Sequence, residues 1–294
     1  MIEVTGWEEK QILHALYHLL MSESENFRTF FVLLRKFDCK MKSISERHLY
    51  IKEQLYRNGF VTVQDLAEQL EVTGATIRRD LRIMEEENIL RRNHGGASLV
   101  HDKVIELSLT DRSAINPEEK ARIAAAAAAL LNDNDSMGVT SGSTIEAFVR
   151  QIRSKGPMKV VTPSIRLGVI LSEKMEVDLR ILGGRIVPES MSTRDEYAIQ
   201  GLHNVRCSKL FFSCDGFSIE DGVTSAFVEE AHLTESMMNV AQQRILLADS
   251  SKIGKCGFGR ICGIEDVDTL ITDSGISASV KRKIEALGVE VIIA

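Results

Sequence analysis

One stretch constrains this chain more than any other: VTVQDLAEQLEVTGATIRRDLRIMEEENILRRNHGGA, residues 61–97. Leu66, Ala67 and Leu70 recur at i, i+1 and i+4, which places them on one face of a first helix. A short polar turn, residues 71–74, comes next. Ile77, Leu81 and Met84 then mark the buried face of a second helix. Thr73 precedes that helix, where its hydroxyl can accept an N–H left free in the first turn. The opposite face of the second helix carries Ala75, Thr76, Arg78, Arg79 and Arg82. Small residues let such a helix sit close in a major groove, and arginines there can reach phosphates and guanine edges.

Behind the helices the spacing predicts a β-wing. Residues 89–92 read as a strand, His94-Gly95-Gly96 as a tight turn and residues 98–100 as the return. Arg91, Arg92 and His94 would then reach the flanking backbone or minor groove. Arginine pairs on helices are usually no more than solvated charges. Here five arginines fall between positions 78 and 92, while Glu85, Glu86 and Glu87 sit at the far end of the helix. That segregation points to double-stranded DNA as the partner.

Composition bounds the rest. A chain of 294 residues, 44% apolar and 27% charged, suits a globular protein of about two domains. Its net charge of −6 excludes a general nucleic-acid coat, so any DNA contact is a local basic patch on an acidic body. No apolar run approaches the roughly 20 residues a membrane span needs. The five cysteines show neither CxxC spacing nor a histidine cluster, so no metal or cofactor is indicated, and free thiols in a reducing cytoplasm are expected. Residues 1–40 hold the only tryptophan, Trp7, and lack the pattern of a secretory signal. They read either as an upstream extension not normally translated or as short helices packed on the DNA-binding unit or a partner. The DNA-binding unit is expected at 41–100, a polar connection at 101–117 and a second unit at 118–294.

From residue 118 the pattern becomes strand–helix alternation. Apolar strands are predicted at 137–139, 159–162, 179–182, 210–214, 245–248, 269–272 and 289–293. Helices are predicted at 118–131, 144–153, 165–172, 227–240 and 278–287. Such alternation implies an α/β domain with a mostly parallel sheet covered on both faces. Ligands of these sheets bind at the carboxyl ends of the strands. The first strand ends in Thr140, Ser141, Gly142, Ser143 and Thr144. Hydroxyls, a glycine and a helix N-terminus together suit a phosphate or other anion, although the same residues cap many helices with no ligand. Asp215 and Gly216 end another strand, where an acid can bind sugar hydroxyls or simply make a turn. Glu229, with Glu230 beside it, opens the next helix, where acids also suit the dipole. Lys252, after a further strand, could pair with a phosphate or be merely solvated.

Taken together, these residues resemble the DeoR family of bacterial transcriptional regulators. TIRRDL at 76–81 and LRRNHGGA at 90–97 resemble its DNA-binding domain. VTSGST at 139–144, the Asp215-Gly216 pair, Glu229-Glu230 and DSSK at 249–252 resemble its sensor domain. The resemblance implies a winged helix-turn-helix joined to a ribose-5-phosphate-isomerase-like α/β sensor. It also implies a repressor of carbohydrate-metabolism genes that a phosphorylated sugar relieves. Two-fold operators would make it a homo-oligomer, a dimer or tetramer. There are departures. Ser218 stands where the isomerases carry a second aspartate, and their glycine-flanked lysine is not apparent. This disfavours the rival reading of a sugar-phosphate isomerase with a DNA-binding appendage. The clustered arginines disfavour a winged helix that binds only protein. Residues 190–197, SMSTRDEY, replace a plainer stretch, and Arg194 within it and Arg185 just before it are further candidate anion contacts.

Overall fold

A computed structural model describes residues 43–98 and 108–294, apart from 59, 88, 94, 134, 154–155 and 175–176. Residues 1–40 and His94 lie outside the described residues. The chain divides into two compact units, Met1–Ile105 and Glu106–Ala294.

In the first unit, helix α1 (Ile44–Asn58) opens with a reciprocal cap: Ser43 N–H donates to Glu46, and Glu46 N–H to Ser43 Oγ. Strand β1 (Phe60–Thr62) leads into α2 (Val63–Gln69) and α3 (Gly74–Glu86). Thr73 caps α3 as expected, accepting from Thr76 N–H at 3.2 Å. Glu71, in the turn between α2 and α3, has a left-handed φ of 53°. The anticipated apolar faces meet in one core, with Leu66, Ile77, Leu81 and Met84 at most 1% exposed. Helix α1, which begins just after Met41-Lys42, completes that core with Ile51 and Leu55. The wing strands β2 (Arg91–Asn93) and β3 (Gly96–Ser98) pair antiparallel, and β1 joins them in the order β1-β3-β2. The wing is thus a three-stranded sheet and not the expected hairpin alone.

The second unit is built on seven parallel strands: β4 (Ser136–Val139), β5 (Met158–Thr162), β6 (Val177–Ile181), β9 (Cys207–Phe212), β12 (Ala241–Leu247), β14 (Thr269–Thr272) and β15 (Glu290–Ile293). Their order is β15-β14-β12-β9-β4-β5-β6, and each corresponds to a strand anticipated from an apolar run. Alternate residues enter opposite cores, as a period of two demands. Leu210, Phe212 and Leu246 face one core, and Phe211, Ile245 and Leu247 the other. Helices α5 (Pro117–Ala129), α6 (Ser143–Gln151) and α7 (Ile165–Ser172) cover the second of these faces. Pro117 is the first residue of α5, as expected. Helices α8 (Glu196–Gln200), α9 (Val228–Asn239) and α10 (Ala278–Glu285) contribute to the first.

Other elements were not anticipated. Helix α4 (Leu109–Ala114), capped by Ser108, lies within the stretch read as a connection. Strands β7 (Ile186–Val187) and β8 (Ser192–Thr193) make a small hairpin. Strands β10 (Gly216–Ser218), β11 (Gly222–Ser225) and β13 (Gly259–Cys262) make an antiparallel sheet in that order. These strands are two to four residues long and rich in glycine and serine, so they carry almost no periodic signal.

Candidate DNA-contact face and ligand site

Helix α3 is divided sharply. Arg78, Arg79 and Arg82 are exposed together with Thr73 and Ala75, and Thr76 is half-buried. Asp80, between the arginines, is 2% exposed and turned inward. It accepts from Arg47 Nε at 2.7 Å and Nη2 at 3.0 Å, and His48 Nε2 lies 3.5 Å away. The hydrogen bonds to Asp80 raise the pKa of Arg47. This forked pair ties α1 to α3 and was missed in the sequence, because Asp80 looks like one more polar residue in a charged run. Its signal is helical position: it lies three residues after Ile77 and four before Met84, on the buried side.

On the wing, Arg91 and Arg92 are both exposed. Their situations differ. Arg92 donates its backbone N–H (2.9 Å) and its Nε (2.7 Å) to Glu85. The expectation that Glu85 stands apart from the arginines is therefore corrected. The wing folds back along the C-terminal end of α3, and Arg92 already has a carboxylate partner.

In the second unit, the carboxyl ends of β4, β9 and β12 supply the anticipated loops. Thr140 N–H donates to Phe211 carbonyl at 3.2 Å, binding the first loop to β9. Thr140, Ser141 and Thr144 are buried, and Ser143 is half-buried. Gly142 opens α6 with φ of 133°, a backbone state that side chains strongly disfavour, and offers no side-chain cap. One turn in, buried Glu146 accepts from Arg150 Nη2 at 2.7 Å and Arg166 Nε at 2.6 Å. Burial would raise this carboxyl, but hydrogen bonds from Arg166 and Arg150 hold it below its ordinary value. Its charge is thus balanced close to the loop.

A cluster of side chains gathers beside that loop. Ser141 Oγ donates to Glu230 at 3.2 Å. Ser225 Oγ lies 3.3 Å from both Glu230 and Asp215, and its single proton serves one carboxylate at a time. Asp215 also accepts from Ala226 N–H at 2.8 Å. Arg194, 5% exposed, lies 3.7 Å from Glu230 and 4.3 Å above the Phe227 ring. The unusual stretch 190–197 therefore reaches the cluster through Arg194, while Arg185 is exposed.

The two acids that open α9 differ: Glu229, the one anticipated at the site, is exposed, whereas Glu230 accepts from Ser141 of the first loop. Adjacent helical residues point about 100° apart, so only one of the pair can face the loop. Gly216 has a packing reason of its own: any side chain there would collide with the Lys255 carbonyl. Ser218 Oγ bonds Asp221 at 3.0 Å within the β10–β11 turn. After β12, Asp249 accepts from Ser251 N–H and Asn116 Nδ2, both at 3.1 Å. Ser250 is held by Asp273 through its N–H (2.6 Å) and Oγ (2.8 Å). Much of DSSK is thus spent on shaping its own loop, and Lys252 is left half-buried at its end. Burial pushes the Cys214 thiol well up, and the nearby Lys252 charge opposes that rise.

Both units match known family models. The DeoR-like helix-turn-helix domain matches residues 47–103, and the DeoR C terminal sensor domain matches residues 115–274. The uncharacterized HTH-type transcriptional regulator YulB of Bacillus subtilis is 34% identical over 239 residues, covering 81% of this chain and 92% of its own length. The HTH-type transcriptional repressor GlcR of the same organism is 31% identical, covering 84% and 95%. The lactose phosphotransferase system repressor of Staphylococcus epidermidis is 31% identical, covering 82% and 96%. Among solved structures, a transcriptional regulator from Streptococcus pneumoniae aligns over 57% of this chain and 85% of its own, at 15% identity and a TM-score of 0.36. Ribose 5-phosphate isomerase A of Methanocaldococcus jannaschii aligns over 47% and 55%, at 16% identity and a TM-score of 0.35. With family models matched in both units and relatives aligned over nearly their whole length, this chain belongs to the DeoR family of DNA-binding transcriptional regulators.

Proposed function

We propose that this regulator is a repressor that holds operator DNA through α3 and the wing and releases it when a phosphorylated sugar occupies the strand-end loops of the second unit. The observation that carries this reading is the division of α3, with Arg78, Arg79 and Arg82 outward and the acid between them, Asp80, withdrawn to Arg47. Arg78, Arg79 and Arg82 read or grip the major groove, and Arg91 grips the flanking backbone. Residues 41–100 are the DNA-binding domain, and 118–294 the sensor.

For the effector, residues 140–144 offer N–H groups and hydroxyls to a phosphate, and Lys252 adds positive charge. Asp215 and Glu230 are placed to accept from sugar hydroxyls. Relatives that are named repressors, one of them of a lactose phosphotransferase system, favour repression and a sugar signal. The isomerase reading gains nothing, since Ser218 serves a turn. The protein acts on DNA in the cytoplasm, as a dimer or a larger even assembly matching two-fold operators.

The test begins with selecting duplexes from a random pool on the full-length protein. The selected duplex is then titrated by anisotropy, with and without a panel of hexose and pentose phosphates. One or more of these should release the duplex and raise the melting temperature. If no duplex is selected, the DNA reading falls. If the duplex binds but no sugar phosphate shifts binding or melting, the sensor reading falls.

A further inference from the structure

Strand β6 is one edge of the seven-stranded sheet and pairs only with β5 among the described residues. Its five residues, Val177, Asp178, Leu179, Arg180 and Ile181, are self-complementary about Leu179. Reversed, the strand still reads apolar, charged, apolar, charged, apolar, with the acid and base exchanged.

The backbone agrees with this symmetry. In a parallel ladder the N–H and C=O of one residue point to the same side, and successive residues alternate. Leu182 N–H donates to Thr162 carbonyl on the β5 side at 2.9 Å. Arg180 and Asp178, in phase with Leu182, therefore turn their main-chain groups toward β5. Val177, Leu179 and Ile181 turn theirs outward, where no described strand meets them.

We propose that two copies of this chain pair through β6, antiparallel about a two-fold axis at Leu179. This inference deepens the dimer read above and rests on it. Only that register engages the outward groups of Val177, Leu179 and Ile181 together, and it joins two seven-stranded sheets into one. Asp178 then stands opposite Arg180 of the partner subunit at a non-hydrogen-bonded position, where Cα atoms approach to about 4.5 Å. The symmetry repeats this pair. Lys159 lies beside Asp178 in the β5–β6 register, so Asp178 sits between two cations across the joined sheet. Ile181, 45% exposed in one copy, meets Val177 of the partner subunit. Edge strands are commonly blunted with charge to prevent such pairing. Like charges would do so here, whereas this arrangement places opposite charges in register. The other sheet edge, β15, carries only Glu290 as a charge and offers no such match.

The test uses the full chain and its assembly state, measured by sedimentation velocity over a concentration series. Wild type should dimerise. Asp178→Arg and Arg180→Asp should each weaken the dimer by roughly tenfold or more, because two attractive cross-strand pairs become repulsive. Mixing the two single variants should restore association, as should the double variant, because opposite charges face each other again. Hydrogen exchange on wild type is the second readout: the N–H groups of Val177, Leu179 and Ile181 should slow as concentration rises. Single variants that dimerise like wild type would overturn this interface while leaving the dimer reading intact, as would single variants that dissociate and do not recombine. Fast exchange at β6 in a dimeric wild type would also overturn it. A wild type that stays monomeric at all concentrations overturns both readings.

Discussion

Asp80 gives the sharpest test of how the DNA-contact unit is held together. Its carboxylate is nearly sealed from solvent and receives two bonds from Arg47, whose side chain is itself only 12% exposed. Asp80→Ala removes both of those bonds from the guanidinium. Breaking a buried pair from one side costs about 3–5 kcal/mol, but Arg47 keeps a narrow path to water, so about 2–3 kcal/mol is the expected loss. That corresponds to roughly a thirty- to hundred-and-fifty-fold drop in the folded-to-open ratio. Hydrogen exchange of the full chain measures it directly. Amides of Ile51, Leu55, Ile77, Leu81 and Met84 should lose protection by this factor, while β9 and β12 serve as an unaffected internal control. Operator binding should fall with the folded fraction, although Asp80 is not proposed to touch DNA. Replacing both partners, Arg47→Leu with Asp80→Leu, should recover much of the loss, because no charge is left stranded. Unchanged protection in Asp80→Ala would refute the claim that this pair locks α1 to α3.

Arg78→Ala should weaken operator binding by about 1–3 kcal/mol if it reads a base edge. Arg91→Ala should weaken all duplexes alike and reduce the salt slope by about one unit, and Arg92→Ala should do less, since Glu85 already holds that side chain. Salt-dependent anisotropy separates the three. Glu230→Gln and Lys252→Ala should each reduce the response to sugar phosphate about ten- to a hundred-fold while leaving effector-free DNA binding unchanged, whereas Glu229→Gln should be silent. Binding titrations of the three variants check the assignment of the helix face. Glu146 predicts an acid limit. Its folded pKa lies below the ordinary 4.5, so its contribution to stability is complete above about pH 4.5 and is lost as pH falls through the depressed value. Melting temperatures between pH 6 and pH 3 should fall in wild type, and Glu146→Gln should start lower at pH 6 and lose less on acidification.

How much of this was legible beforehand depends on the physics of each signal. The stripes of Leu66, Ile77, Leu81 and Met84, the Thr73 cap and the seven apolar strand runs are local patterns. Each reflects a helix or strand that must hide one or both of its faces, so each could be read without knowing its neighbours. The residues around the first strand-end loop were legible for the same reason, since Gly142 and the hydroxyls beside it are consecutive in the chain.

What the sequence did not reveal are pairings between residues far apart in it. Nothing local marks Arg47 as the partner of Asp80, or Arg92 as the partner of Glu85. Nothing distinguishes Glu230 from Glu229 until the orientation of α9 is known, because the two acids are identical in type and adjacent. Arg194 and Ser225 gain their place near Glu230 only through the short hairpins β7–β8 and β10–β11, which have too few residues to show a period. The sequence by itself determined which segments bury which faces, because burial follows from periodicity. The tertiary structure alone decided which charges meet, because hydrogen bonds and ion pairs act over a few ångströms between groups that the fold, and not the chain order, brings together.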